Sequence, residues 1–196
     1  MSHKHTCRAA LSLAVAVGLA LPMTASSAAA KEEALLRLRA WAVDLNRGAR
    51  TNTIDIVIER WSTPEEIEKL RSVLIEKGGD DLLPALQKIK PRCGYTRTAG
   101  RVGWDLQFAR ETELEGGARK IVVGTDRPIN FWEARANPRS RDYEFSLAEI
   151  RLGADGKGQG KAINAAKLSF NKETNTLEIE NYEREPVRLN EITVVK

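Results

Sequence analysis

Arginine and aromatic side chains gather on two stretches of this chain, and together they suit recognition of an anion. From Lys88 to Arg101 there are five basic residues, Lys88, Lys90, Arg92, Arg97 and Arg101, and no acid. From Arg127 to Arg141 there are Arg127, Arg135, Arg139 and Arg141 against Glu133 alone. Tyr95, Trp104, Phe131, Trp132 and Tyr143 are interleaved with them. A guanidinium fork binds carboxylates and phosphates through paired hydrogen bonds, and it stacks on aromatic faces. The candidate ligand-binding residues are therefore Arg97, Arg101, Trp104, Arg127, Trp132, Arg135, Arg139 and Tyr143. The competing reading is internal: Glu173, Glu178, Glu180, Glu183 and Glu185 make the C-terminal region acidic. The arginines would then pair with these glutamates, and the aromatic residues would belong to the core.

Paired carboxylates offer a second chemistry. A glycoside-cleaving enzyme needs two acids and no histidine, and Asp105, Glu111 and Glu133 are the candidates for such a histidine-free hydrolase. No spacing brings two of them together, so no catalytic residue is assigned. Other chemistries are excluded by composition. Both histidines (His3, His5), both methionines (Met1, Met23) and one of the two cysteines (Cys7) precede Lys31. The rest of the chain has no histidine for a triad or a metal site, and Cys93 is its only thiol. With no histidine to activate it, Cys93 reads as a small buried residue. The run Gly153–Lys161 fails as a phosphate loop, because Asp155 stands where the first glycine belongs and Ala162 follows Lys161. It reads instead as a hairpin turn with glycines at positive φ. No cofactor and no metal are expected.

Residues 1–30 have the form of a cleaved signal peptide. Lys4 and Arg8 precede the uncharged stretch Ala9–Leu21, Pro22 breaks it, and Ala28-Ala29-Ala30 supplies small residues before Lys31. The apolar stretch is shorter than the roughly 20 residues that span a bilayer. The chain is expected to be exported, to the periplasm in a Gram-negative cell and otherwise into the medium, with no stable membrane span after cleavage. Of the 31 Lys+Arg, only Lys4 and Arg8 lie in this leader, and all 27 Asp+Glu lie beyond it. The excess after Lys31 is thus 29 against 27. That near-balance, together with export, argues against nucleic acid as a partner.

The elements that must position these residues are mostly strands. Ile54, Ile56 and Ile58 alternate with polar residues, as do Trp104, Leu106 and Phe108, then Ala166, Leu168 and Phe170, then Leu177 and Ile179. Ile121–Val123 is apolar on both faces. The phase slips between Leu147 and Ile150, and again between Leu189 and Ile192, and each slip predicts a bulge. Residues 35–45 fit a helix or a strand, with a strand favoured for the second half. One helix is well marked: Thr63-Pro64-Glu65-Glu66 is a capping box with proline at the first position, Ile67, Leu70, Val73 and Leu74 make a stripe, and Gly78-Gly79 stops it. Asp80 is placed to cap a second helix ending before Pro91. The expected fold is α+β: a curved, mainly antiparallel sheet with a helical insertion over about residues 63–90 packed on one face or end. It forms one domain over residues 31–196.

The blocks Ile58–Thr63, Gly94–Thr98, Thr125–Ile129, Phe131–Arg135 and Arg139–Phe145 resemble a group of small exported bacterial proteins with no assigned activity. The resemblance implies export and a single domain, and it brings no cofactor or catalytic residue. The expected function is a non-enzymatic binding module for a small anionic or amphipathic ligand or for an envelope protein. The alternatives are the histidine-free hydrolase and a protein–protein interaction module.

Overall fold

The structure, a computed structural model, describes residues 34–46, 50–129 and 142–195. Alternation of apolar and polar residues dictates its strands. β1 (Leu36–Asp44) buries Leu36, Leu38 and Ala40 and turns Arg39 and Trp41 outward. β2 (Arg50–Ile58) pairs with it so that Leu36 faces Ile58, Leu38 faces Ile56 and Ala40 faces Ile54. β3 (Gly94–Thr98), β4 (Trp104–Glu113), β5 (Arg119–Thr125), β6 (Phe145–Leu152) and β7 (Lys157–Asn171) follow, each antiparallel to the strand before it. β8 (Thr176–Asn181) folds back on the second half of β7. β9 (Val187–Val194) then pairs with the first half of β7 on one side and with β1 on the other.

These pairings close the sheet. β1–β7 and β9 form an antiparallel barrel of eight strands, and β8 lies outside the ring on the extension of β7. The expected α+β fold, a curved, mainly antiparallel sheet with a helical insertion over about residues 63–90 packed on one face or end, is thereby corrected to a closed β-barrel with two short helices. Alternation establishes that each strand has one dry face. It does not say whether helices or the opposite wall of the same sheet cover that face, and here it is the opposite wall. The barrel interior holds the main core, in which Leu38, Ile56, Ile58, Leu106, Ile121, Ile150, Leu152, Leu189 and Ile192 are almost fully buried.

The helices form where the sequence places them, as an outer buttress. α1 (Pro64–Lys77) begins at Thr63, whose hydroxyl accepts from Glu66 N–H while the Glu66 carboxylate accepts from Thr63 N–H, and it stops at Gly78 with φ 91°. α2 (Leu82–Gln87) follows a 3₁₀ turn over Gly79–Asp81, so Asp80 sits in that turn and caps nothing. Leu70, Leu82, Ala85, Leu86 and Ile89 pack against Phe145, Ala166 and Leu168 on the outside of the barrel. Leu147 joins this outer cluster while Ala148 and Ile150 face inward, which accounts for the apolar phase slip there. The bulge expected between Leu147 and Ile150 is absent: β6 keeps an unbroken register there with both β5 and β7, and the irregularity of the β6–β7 pair lies in β7 between Ile163 and Ala166, opposite Phe145–Leu147. The slip between Leu189 and Ile192 is a bulge in β9, with Glu191 at φ 50°.

The glycine-rich run is a turn only in part. Gly156 has φ 75° and closes the β6–β7 hairpin after Asp155. Gly158 and Gly160 belong to β7. A Cβ on either would sit 2.0 Å from the Arg151 carbonyl oxygen or 2.5 Å from that of Glu149, so glycine lets β6 and β7 approach.

Candidate functional site

Among the described residues the barrel is packed at one end and open at the other. At the packed end Leu36, Ile58, Ala109, Ile121, Ile150 and Leu152 fill the interior, with Trp61 against them. An ion pair between Arg119 and Glu111, 2.8 Å apart, stands at the same end of β4 and β5. Toward the other end the inward positions become smaller and more polar. Along β1 they run Leu38, Ala40, Ala42, Asp44, and along β2 Ile58, Ile56, Ile54, Asn52, Arg50. Along β6 they run Leu152, Ile150, Ala148, Ser146. Three alanines, Ala42 on β1 and the cross-strand pair Ala148 and Ala162 on β6 and β7, leave the middle of the barrel unfilled.

The result is a cavity of about 300 Å³, at the lower end of the roughly 300–1,000 Å³ typical of small-molecule sites. Ile54, Leu106, Val123, Val187 and Leu189 form its wall, with Trp104 beside them. Arg50, Asn52, Thr98, Arg101, Asn164 and Glu183 stand toward the mouth. The two groups do opposite work: the wall gains from excluding water, and the rim supplies the few polar groups that orient a ligand.

Hydrogen bonds decide which rim groups are available. The Thr125 hydroxyl donates to the Arg127 carbonyl (2.5 Å) and accepts from Ser146 N–H. The Ser146 hydroxyl donates to the Asn164 carbonyl (2.5 Å) and accepts from Ile129 N–H. Both hydroxyls are spent on holding β5, β6 and β7 together. Asp44 accepts from the Asn46 backbone and side chain, and Asn46 reaches on to Glu185 and Glu183, which fixes the acidic side of the mouth. By contrast, the buried Thr98 Oγ1 has no hydrogen-bond partner, an unusual state for a buried polar atom. Arg50 and Arg101 make no ion pair with a described residue.

Three of the eight candidate ligand-binding residues, Arg97, Arg101 and Trp104, lie on this cavity. Arg97 is partly engaged elsewhere, 3.7 Å from Asp55 and over the Tyr95 ring. Arg127 is exposed beside Asp126, 3.1 Å away. Tyr143 donates to Glu180 and packs edge-on against Tyr182. Trp132, Arg135 and Arg139 lie outside the described residues, as do Phe131, Glu133 and Arg141. Arg92 holds Glu59 through two bonds and Asp105 through a third. The arginine pairs of the described residues thus reach mainly Glu59, Glu66, Asp55, Asp105, Glu111 and Asp126. Of the C-terminal glutamates, Glu185 receives one, from nearby Arg188.

Sequence reasoning missed Arg50, Asn52, Thr98 and Asn164. A signal existed in Arg50-x-Asn52-x-Ile54-x-Ile56-x-Ile58: one face of one strand turns from apolar to polar along its length.

The carboxylate pair Asp105 and Glu111 does not form a catalytic dyad. Six residues of one strand separate them, about 20 Å, well beyond the roughly 5–9.5 Å of glycosidase pairs. Each also accepts from an arginine. Cys93 is fully buried, with Sγ 3.5 Å from both Ser62 Oγ and the Gln107 carbonyl. Burial pushes its thiol pKa up, against the hydrogen bond from Ser62 and the nearby Arg60 charge. It is a packing residue in a weakly nucleophilic state.

Among the described residues no helix is long and apolar enough to cross a membrane. The barrel's strands carry Arg39, Arg110, Arg151 and Lys161 outward and aliphatic residues inward, the reverse of a lipid-embedded barrel. Fold and site together define a small up-and-down β-barrel with an internal cavity open at one end. Comparisons with protein-family models, with curated proteins and with solved structures returned no match.

Proposed function

We propose that the protein is an exported binding protein that holds a small amphipathic anion in its barrel, alkyl or aryl end down and charged head at the mouth. The observation that carries this reading is the one-ended polarity of the cavity: an apolar wall below, with Arg50 and Arg101 above. A tail displaces water from Ile54, Leu106, Val123 and Leu189, and the gain scales with the apolar area covered. An anionic head receives charge-assisted hydrogen bonds from guanidinium groups that make no ion pair with a described residue.

Thermal shift with octanoate and 1-octanol tests the reading, because the two share a tail and differ in charge. Octanoate is expected to raise the melting temperature of the wild type. In Arg50→Ala/Arg101→Ala the octanoate affinity should fall about tenfold, at up to roughly 1 kcal/mol for each partly exposed arginine, while any octanol response persists. A wild type indifferent to octanoate, or a double variant with full octanoate affinity, overturns it.

A further inference from the structure

The depth of the cavity fixes how long a tail it can hold. Its floor is Ile56, with Leu106 and Leu189 around it. Beyond this floor Ile58, Ile121, Ile150 and Leu152, each no more than 1% exposed, fill the barrel, and none of them lines the cavity. Arg50, Asn52, Ile54 and Ile56 follow one another along the inward face of β2. Strands advance about 3.4 Å per residue and tilt by about 35–45° in a barrel, so the six steps from Arg50 to Ile56 descend about 15 Å. The four steps from Asn52 descend about 10 Å. An extended alkyl chain advances about 1.25 Å per carbon, from C–C bonds of about 1.5 Å, so this depth matches about eight to twelve carbons. The volume agrees. At the roughly 30 Å³ that a water-sized group takes in a liquid, about 300 Å³ holds about ten such groups.

Resting on the reading of an anionic head at the mouth, we propose that the ligand is a medium-chain alkyl anion of about eight to twelve carbons, and that Ile56 is the residue that sets this length. An aromatic acid such as benzoate stops short of the floor. It leaves Ile56 and Leu189 uncovered and forgoes the gain from burial there. A tail of sixteen carbons must either leave its excess in water or push into Ile58 and Ile150, a close-packed core in which added volume is unfavourable. Each methylene that does fit raises the affinity about fourfold. Ile56 has this role because of its place on β2: it is the last inward residue of the strand to touch the cavity, and Ile58, the next, does not.

Calorimetric titration of the full chain with unbranched carboxylates of six to sixteen carbons, each kept below its micelle-forming concentration, tests it. Affinity should climb about fourfold per carbon to a break between about eight and twelve carbons, then level off or fall. Ile56→Ala takes three carbons from the floor and should move the break about two carbons longer. Ile56→Val, which costs the fold less, should move it about one carbon longer. Benzoate should bind more weakly than decanoate. An affinity that keeps climbing to hexadecanoate, a break that stays in place in a folded Ile56 variant, or benzoate binding as tight as decanoate overturns the length assignment and leaves an anion-binding barrel standing. Failure of every carboxylate to bind overturns both.

Discussion

Ala148→Leu is the substitution on which the cavity makes its sharpest demand. Ala148 faces inward on β6, between Val123 of β5 and Ala162 of β7, where the barrel is unfilled. Leucine adds three carbons to that space. At about 0.8 kcal/mol for each fully buried carbon the ceiling is roughly 2.4 kcal/mol, and lost rotamer freedom returns about 0.5–1 kcal/mol. The expected outcome is a gain of about 1–2 kcal/mol. For a chain of this size that is a melting-temperature rise of roughly 2–8 °C. In a close-packed core the sign reverses, because overpacking costs about 1–3 kcal/mol. Two residues along the same face, Ile150 is fully buried at the packed end, and Ile150→Ala should cost about 2–5 kcal/mol. Urea unfolding followed by tryptophan fluorescence measures both variants, with the slope checked for constancy. An Ala148→Leu variant destabilised by 1 kcal/mol or more, a threshold within the usual overpacking cost of about 1–3 kcal/mol, would refute the claim that the upper barrel is hollow.

Three further outcomes follow from particular contacts. Glu66 has its pKa lowered, first by the hydrogen bonds from Arg60 and then by the Thr63 backbone, against burial; its contribution is therefore present above the ordinary carboxylate range and lost as pH falls through the lowered value. Glu66→Gln should cost about 1 kcal/mol at neutral pH and nothing in strong acid, as read from unfolding at a series of pH values. Cys93 should react with a thiol reagent such as DTNB only as fast as the protein opens, and rapidly in denaturant; fast reaction of the folded chain would show that the thiol is accessible. Gly160→Ala places a Cβ against the Glu149 carbonyl oxygen and should destabilise by about 1–3 kcal/mol, a loss absent in an alanine substitution at exposed Gln159.

Much of the secondary structure was legible because each signal was local. The capping box at Thr63, the stripe through Leu70 and the alternation in Ile54–Ile58 all concern residues a few positions apart, and all appear as read. Closure of the sheet was not legible. It depends on β9 meeting both β1 and β7, and no local pattern encodes which strand covers a dry face. Leu147 shows the same limit: its apolar phase looks like a bulge in sequence, yet it serves the outer core under the helices while Ile150 serves the inner one. At the site, clustering of charge proved a weaker guide than position on a strand face. Arg92 lies amid the densest cationic run and is held by Glu59 and Asp105. Arg50, outside both arginine-rich stretches, reaches the cavity because it continues the buried face of β2.

The central claim, that a ligand tail lies inside the barrel, is tested most directly by isotope-filtered NOEs between carbon-13-labelled octanoate and the assigned methyl groups of the protein. The account predicts contacts from the octanoate chain to the methyls of Ile54, Leu106, Val123, Val187 and Leu189, lost in Ala148→Leu. Contacts confined to the exposed Leu177 and Ile179 on β8, or wall contacts that persist unchanged in Ala148→Leu, would contradict it.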